Sequence, residues 1–426
     1  MLLKKFLVVL VGVILFRIGS FIPIPGIDAV LIGQFFDNSN GTILDFVNAF
    51  GGGSLQRMSI FSTGIMPYIS ASIILYVATF FSPHIKSLQQ EGMKGQTKIA
   101  QYTRWLTLLI AAFQAFMLTS ALSTQVVGES RIIPNNGIDF YITAILALVA
   151  GTMSLIWIGE KITEYGIGNG ISLIIYAGIV SGLPQAIGQT INLIDNGEIN
   201  KITIIVVTAS VLAAIVFVVF VEKARREVSV EHSQKSFENL HSHKGKLPFK
   251  LNAAGIMPPI FAAMILTLPA TLNAFAESMD LRLLSNITYY FQHGSAFYMV
   301  VYALMIIVFS HFLVKSKNNP KDLADRLKGQ GAFVRGLRPG EPTEKYLSGV
   351  INRLSAIGAG YLVIVCLLPE FLISYFSVPF YFGGTSLLII VSVALDWEKQ
   401  VGSYFKRKEY KDIGKGLLED FKGRKA

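Results

Sequence analysis

The sequence predicts an all-α membrane protein of ten transmembrane helices in two pseudo-symmetric five-helix halves, and three observations lead there. Only 15% of the 426 residues are charged while 52% are hydrophobic, against about a quarter charged in a soluble domain. The charges are spaced so that apolar stretches recur, most near the ~20 residues a helix needs to cross the hydrocarbon core. Helix breakers cluster in the second and seventh of these stretches, which are corresponding positions if the chain is two five-span halves.

The uncharged stretches run 58–81, 105–128, 140–159, 165–194, 202–221, 251–276, 283–314, 354–369 and 371–395, and a tenth, 6–22, is broken only by Arg17. Arg17 falls in the outer part of its span, from which a long side chain can snorkel. The stretch 354–369 has 16 residues between Arg353 and Glu370, so it must extend or sit where the membrane is thin. Its neighbour 371–395 reads as a complete span. The opening Met-Leu-Leu-Lys-Lys before an apolar run raises a cleaved signal peptide, but Phe21-Ile-Pro-Ile-Pro25 comes next instead of a small-residue cleavage site. The expected organisation is an N-terminal half at 1–194, a C-terminal half at 195–396 and a tail at 397–426.

Positive charge orients the spans. The start and the loops 82–104, 160–167, 222–252, 315–353 and 397–426 carry 32 of the 37 Lys and Arg residues, and the opposite loops carry four. The rich side is cytoplasmic by the positive-inside rule, which puts both termini there. The formal charge of +10 is therefore a topological signal first, leaving ribosomal RNA open as a nucleic-acid contact.

Two regions break the helical pattern. In Gly51-Gly-Gly-Ser-Leu-Gln-Arg-Met-Ser-Ile-Phe-Ser-Thr-Gly64, a triple glycine leads into an apolar piece, and Pro67 stands just beyond it. Residues 58–66 are too few to span, so they read as a re-entrant or plug-like segment before a short helix at about 67–81. The second region is Asn252-Ala-Ala-Gly-Ile-Met-Pro-Pro259, with Leu268-Pro-Ala270 after it. Non-helical backbone at membrane depth survives only where protein buries it or water lines it, so both regions point at a cavity.

Catalysis has no candidates. There is no P-loop sequence, Gly166-Ile-Gly-Asn-Gly170 follows no strand, and the six histidines lack metal-ligand spacing. Cys366 is the single cysteine, so neither a disulfide framework nor a metal cluster is expected. Coupled transporters usually bind their ion on an ionisable residue near the midplane; here the spans hold only Arg17. A passive pore needs no such residue, because an apolar constriction seals by dewetting. The alternatives weighed are a broken-helix secondary transporter and a YidC-like insertase without a pore.

Several motifs carry a resemblance. Ile22-Pro-Ile-Pro-Gly26, Gly64-Ile-Met-Pro-Tyr-Ile-Ser-Ala-Ser72, Gln101-Tyr-Thr-Arg104, Ile162-Thr-Glu-Tyr-Gly-Ile-Gly-Asn-Gly-Ile-Ser172, Arg338-Pro-Gly340 and Val378-Pro-Phe-Tyr-Phe-Gly-Gly-Thr-Ser386 resemble, in order and across nearly the whole chain, the SecY/Sec61α family. The resemblance implies a clamshell of two five-helix halves in a bacterial inner membrane, conducting polypeptides. It implies an apolar pore ring of Ile65, Ile69, Ile171, Ile175, Ile260 and Ile389 and a plug at about 51–64 that includes Gly51, Gly52, Gly53, Ser54, Met58, Ile60 and Phe61. A lateral gate between spans 2 and 7 would involve Ser70, Ser72, Gln114, Pro258 and Thr271, and Arg225, Arg226 and Arg338 would dock SecA or a ribosome. The implied partners are SecE and SecG, SecA, the ribosome, signal peptides and nascent chains, membrane lipids, YidC and SecDF. Two departures stand out: only Met1–Lys5 precede the first span, and the 222–252 loop is short and carries Glu227, Glu231 and Glu238 among its basic residues.

Overall fold

An uncharged apolar run in lipid becomes a helix because it can satisfy its backbone polar groups only internally. The computed structural model describes residues 2–38, 48, 51–123, 125–127, 130–134, 137–195, 201–232, 245–266, 295–376 and 384–423. Its helices are α1 (Leu2–Gly19), α2 (Ala29–Asn38), α3 (Met66–Phe81), α4 (Pro83–Gln90), α5 (Met93–Ser123), α6 (Ile138–Tyr165), α7 (Gly170–Asp195) and α8 (Lys201–Lys223). Then come α9 (Met257–Leu266), α10 (Ala296–Lys317), α11 (Pro320–Gly329), α12 (Glu341–Phe376) and α13 (Gly384–Gly423). Among the described residues, five helices are long and apolar enough to span on their own, and the pair at Met66–Thr79 and Pro83–Gln89, bent by 106°, makes a sixth.

The described residues divide into two compact units, one drawn from Met1–Gly188 and Val393–Ala426, the other from Gln189–Asn273 and Arg282–Ser392. In the first, α1 packs on α6, and α5 lies between α3 and α6. Small residues let the backbones approach, as membrane interfaces require: a Cβ added at Gly12 of α1 would come within 2.6 Å of Ile162 on α6. In the second unit α10 and α11 pack on α12. There Gly384 at the start of α13 lies against α12, where an added Cβ would sit 2.4 Å from Cys366 Cα.

The structure corrects the boundary between the last two spans. Glu370 does not end a helix: α12 runs unbroken from Glu341 to Phe376, which supplies the length that 354–369 lacked. The stretch 371–395 is therefore not one span, since 371–376 belong to α12 and α13 begins only at Gly384. A single carboxylate interrupts a hydropathy run without costing the backbone a hydrogen bond, so charge alone misplaced the division.

The loops 222–252 and 315–353 are not merely extended. Strands β3 (Arg225–His232) and β4 (Gly245–Lys250) pair antiparallel, with Arg225 opposite Lys250, and β5 (Ala332–Val334) joins the other edge of β3. Val228, Val230, Phe249, Ala332 and Val334 bury one face of this sheet against Leu327, Leu347, Val350 and Ile351. A two-residue ribbon, β1 (Val126–Val127) with β2 (Ser130–Arg131), lies on the opposite-side loop.

Candidate functional site: a buried loop among membrane helices

The segment 51–65 contains no helix, yet Leu55, Met58, Phe61 and Ile65 are buried. Its path depends on glycine. Gly52, Gly53 and Gly64 have φ of 66°, 78° and 55°, values that favour a residue without a Cβ. Asn48 holds the turn from both ends, its carbonyl accepting from Gly53 N–H at 2.9 Å and its Oδ1 from Gln56 N–H at 3.0 Å. Inside the loop, Ser62 Oγ donates to the carbonyls of Ser54 and Ser59, and Ser54 Oγ donates to Gly51 O. The backbone polar groups that a lipid environment would leave unpaired are thus bonded within the loop.

Two chain segments brace it. Ile24 N–H donates to Met58 O and Ile60 N–H to Ile22 O, both at 3.0 Å, so the Ile-Pro-Ile stretch forms an antiparallel bridge with 58–60. Leu55 and Met58 enter a core with Ile24, Ile32, Leu122, Ile132, Ile133, Phe140 and Leu148. On the other flank, Phe61 stacks on Phe16 of α1, with ring centroids 6.3 Å apart and planes at 8°. Gly19 of α1 and Gly151 of α6 make room for it: a Cβ at Gly19 would lie 2.0 Å from the Phe61 ring, and one at Gly151 would lie 1.9 Å from Ile60 O. Thr63 and Thr152 share a hydroxyl hydrogen bond of 2.8 Å.

Arg17, the one charge in the first apolar stretch, makes its contacts within the protein. Its Nη1 donates to Gly52 O at 3.0 Å and to Ser181 Oγ of α7 at 3.2 Å, so the guanidinium ties the loop to two helices. Arg17 and Arg57 both lie over the ring of Phe21, at 4.7 and 4.3 Å. Burial first, and Arg17's charge second, push the Arg57 guanidinium pKa below its ordinary value.

Of the six ring isoleucines, Ile65 caps the start of α3, Ile69 lies in its first turns, and Ile171 and Ile175 lie in the first turns of α7. Ile260 is on α9 and Ile389 is in the first turns of α13, both in the second unit. Ile65, Ile69, Ile175, Ile260 and Ile389 are all buried, at 9% exposure or less, whereas Ile205 on α8 is 68% exposed. These five are therefore not lipid-facing filler. Ile171 is partly buried and lies against Gly159 of α6.

Ser70 and Ser72 are on α3 and Gln114 on α5, all partly buried, and Pro258 is buried in the first turn of α9. Thr271 lies outside the described residues. Arg225 and Arg226 project from β3, and Arg226 and Arg338 are partly or fully open to solvent. The turn carrying Arg338 is fixed by Gly336 and Gly340, with φ of 83° and 105°, and by Thr343 Oγ1, which donates to Arg338 O at 2.9 Å.

Sequence reasoning missed Gly19, Gly151, Asn48 and Arg17 as parts of the loop's seat. A lone glycine in an apolar run carries no signal of its own, because the group it accommodates lies far along the chain. Asn48 ahead of Gly51–Gly53 was a readable turn signal.

A family model described as SecY matches residues 59–397. The protein translocase subunit SecY of Haemophilus influenzae is 45% identical over 422 residues, covering 98% of this chain and 95% of its own. That of Escherichia coli (strain K12) is 45% identical over 410 residues, covering 96% and 92%. Among solved structures, one described as a protein conducting channel superposes with a TM-score of 0.69 at 19% identity, over 94% of this chain and 92% of that one. Sec61 in a canine ribosome-channel complex from the endoplasmic reticulum gives 0.66 at 18% identity, over the same shares. At these identities the superpositions show a shared fold.

Proposed function

The chain belongs to the SecY family, and from that premise we propose that it is the pore subunit of a protein translocase. It is a multi-pass membrane channel that carries unfolded secretory polypeptides across the membrane and releases transmembrane segments sideways into lipid. The observation that carries this reading is the loop 51–65, non-helical and buried among apolar helices. A membrane protein keeps such a segment only where protein or a water path surrounds it. The same comparisons favour a channel over a broken-helix secondary transporter.

The loop is the plug of the resting channel. Leu55, Met58 and Phe61 are each buried to 4% exposure or less, and exposing a large apolar side chain costs about 1.5–3 kcal/mol. Lifting all three would cost roughly 5–9 kcal/mol, an upper bound because lipid or pore wall re-covers part of them. The idle channel therefore stays shut, and an entering signal sequence supplies the compensating contacts. Family membership assigns Ile65, Ile69, Ile171, Ile175, Ile260 and Ile389 to an apolar pore ring, which dewets when empty.

Family membership assigns the lateral gate to spans 2 and 7, whose helices α3 and α9 each start at a proline and can swing as a unit. Ser70, Ser72, Gln114, Pro258 and Thr271 are the residues that family membership assigns to the gate, Thr271 lying outside the described residues. The two halves are 1–194 and 195–396, with the tail at 397–426 on the cytoplasmic side. Arg225, Arg226 and Arg338 dock SecA or the ribosome, since guanidinium bonds carboxylate or phosphate bidentately. SecE and SecG pack on the channel, and YidC and SecDF join it in the bacterial inner membrane, where both termini face the cytoplasm. The chain provides the path and its partners provide the energy, so it is not itself an enzyme. Purified channel in planar bilayers tests the reading: replacing several ring isoleucines with Ser should raise resting ion conductance, and unchanged conductance would count against it.

A further inference from the structure

Glu222 ends α8 and is buried at 8% exposure. A carboxylate so placed needs a specific partner, and Asn252 provides one, its Nδ2 donating to Glu222 Oε1 at 2.7 Å. Asn252 is itself only 2% exposed. The rest of its amide group builds the turn into α9: Nδ2 also donates to Gly255 O at 3.2 Å, and Oδ1 accepts from Gly255 N–H at 3.1 Å. Gly255 has φ of 74°, and α9 begins two residues later. Gly358 of α12 packs against this turn, since a Cβ there would lie 3.1 Å from Leu251 O.

The same spot is the foot of the cytoplasmic sheet. Leu251 N–H donates to Ala224 O at 3.1 Å, and one residue further out Arg225 of β3 stands opposite Lys250 of β4. The exit from α8, the root of β3 and β4, and the entry to α9 thus meet around one buried side-chain pair. A displacement of β3 and β4 reaches α9 through only a few residues, and Glu222 with Asn252 is what stiffens them.

We propose that the Glu222–Asn252 bond is the joint through which a partner docked on β3 and β4 moves the gate helix α9, which makes both residues positioning residues for gating. The inference rests on the channel reading above, with SecA as the partner on Arg225 and Arg226. Losing a charge-assisted hydrogen bond while its partner stays buried weakens the coupled state by about tenfold or more. A joint differs from a fold support in one respect: it transmits partner binding without being needed for it.

The test uses the complete channel with its partner subunits in vesicles, in wild-type form and as Glu222→Gln, Glu222→Ala, Asn252→Ala and the double Ala variant. Two quantities are read for each, the affinity for SecA and the SecA-stimulated transport of a secretory precursor. Both single Ala variants should bind SecA with affinity unchanged within about twofold and lose about tenfold or more of stimulated transport. The double variant should be no worse than Asn252→Ala alone, because that variant already removes the bond to Glu222 together with the two to Gly255. Glu222→Gln, which keeps the acceptor oxygen, should recover most of the rate. Wild-type transport in the Ala variants would overturn the proposal, and so would a parallel fall in SecA affinity or multiplicative losses in the double variant. A wild-type channel that SecA does not stimulate would instead overturn the channel reading itself.

Discussion

Replacing Gly19 with Ala should unseat the plug. An ideal Cβ at Gly19 lies 2.0 Å from Phe61 Cε2, 2.5 Å from Cζ and 2.8 Å from Cδ2. Carbon atoms rest at about 3.5–4.0 Å, so the ring must retreat by roughly 1.5 Å. Its retreat is limited on two sides, by Phe16 stacked on it and by α6, which approaches Ile60 and Phe61 at Gly151. The remaining movement is for the loop to lift. Overpacking of this kind costs about 1–3 kcal/mol, which shifts a closed-to-open equilibrium roughly five- to hundredfold. Purified channel in planar bilayers, without substrate or motor, reads the shift directly as resting conductance at equal incorporation. Adding Phe61→Ala to Gly19→Ala removes the clash, so the double variant should leak less than the product of the two single effects. A Gly19→Ala protein that melts like wild type and conducts like wild type would refute the assignment of 51–64 as the seal.

Other perturbations probe separate parts. Arg338→Glu should strongly reduce SecA-driven transport into vesicles while leaving resting conductance unchanged, with Arg338→Lys intermediate; wild-type rates for the reversal would leave the docking role without support. A cysteine pair, one near Ser70 and one near Thr271, should on crosslinking block transport until reduced, and normal export with the crosslink complete would exclude a lateral exit between spans 2 and 7. Gly384→Ala places a Cβ 2.4 Å from Cys366 Cα and 2.5 Å from Val365 O, both backbone atoms of α12. It should destabilise the second unit by about 1–3 kcal/mol, measurable as a fall in melting temperature in detergent; an unchanged melt would mean that α13 can shift away freely.

Much of the helical layout was legible because lipid selects apolar runs whatever their tertiary neighbours, and Pro67 marked the start of α3 to within a residue. The same reliance on charge failed at Glu370, which α12 carries without a break. The sheet of β3, β4 and β5 was available in principle: Val228 and Val230 are buried and alternate with exposed Glu227 and Ser229, a period of two. That signal is short and was absorbed into a basic loop. The break in the helical pattern at 51–65 was readable from Gly51–Gly53 and its length, but the seat of that loop was not. Gly19, Gly151 and Arg17 act on residues 35 or more positions away, and nothing in their own surroundings announces a partner.

The central claim is that an unfolded polypeptide passes between the ring isoleucines. A photoreactive residue at Ile69 in the reconstituted channel, with a secretory precursor stalled midway by a folded C-terminal domain, tests it most directly. A control probe at Val216, which is 69% exposed on α8, reports on lipid. The account predicts a precursor adduct at Ile69 that requires the stalled chain and none at Val216. A stalled precursor that reacts at Val216 but not at Ile69 would contradict it.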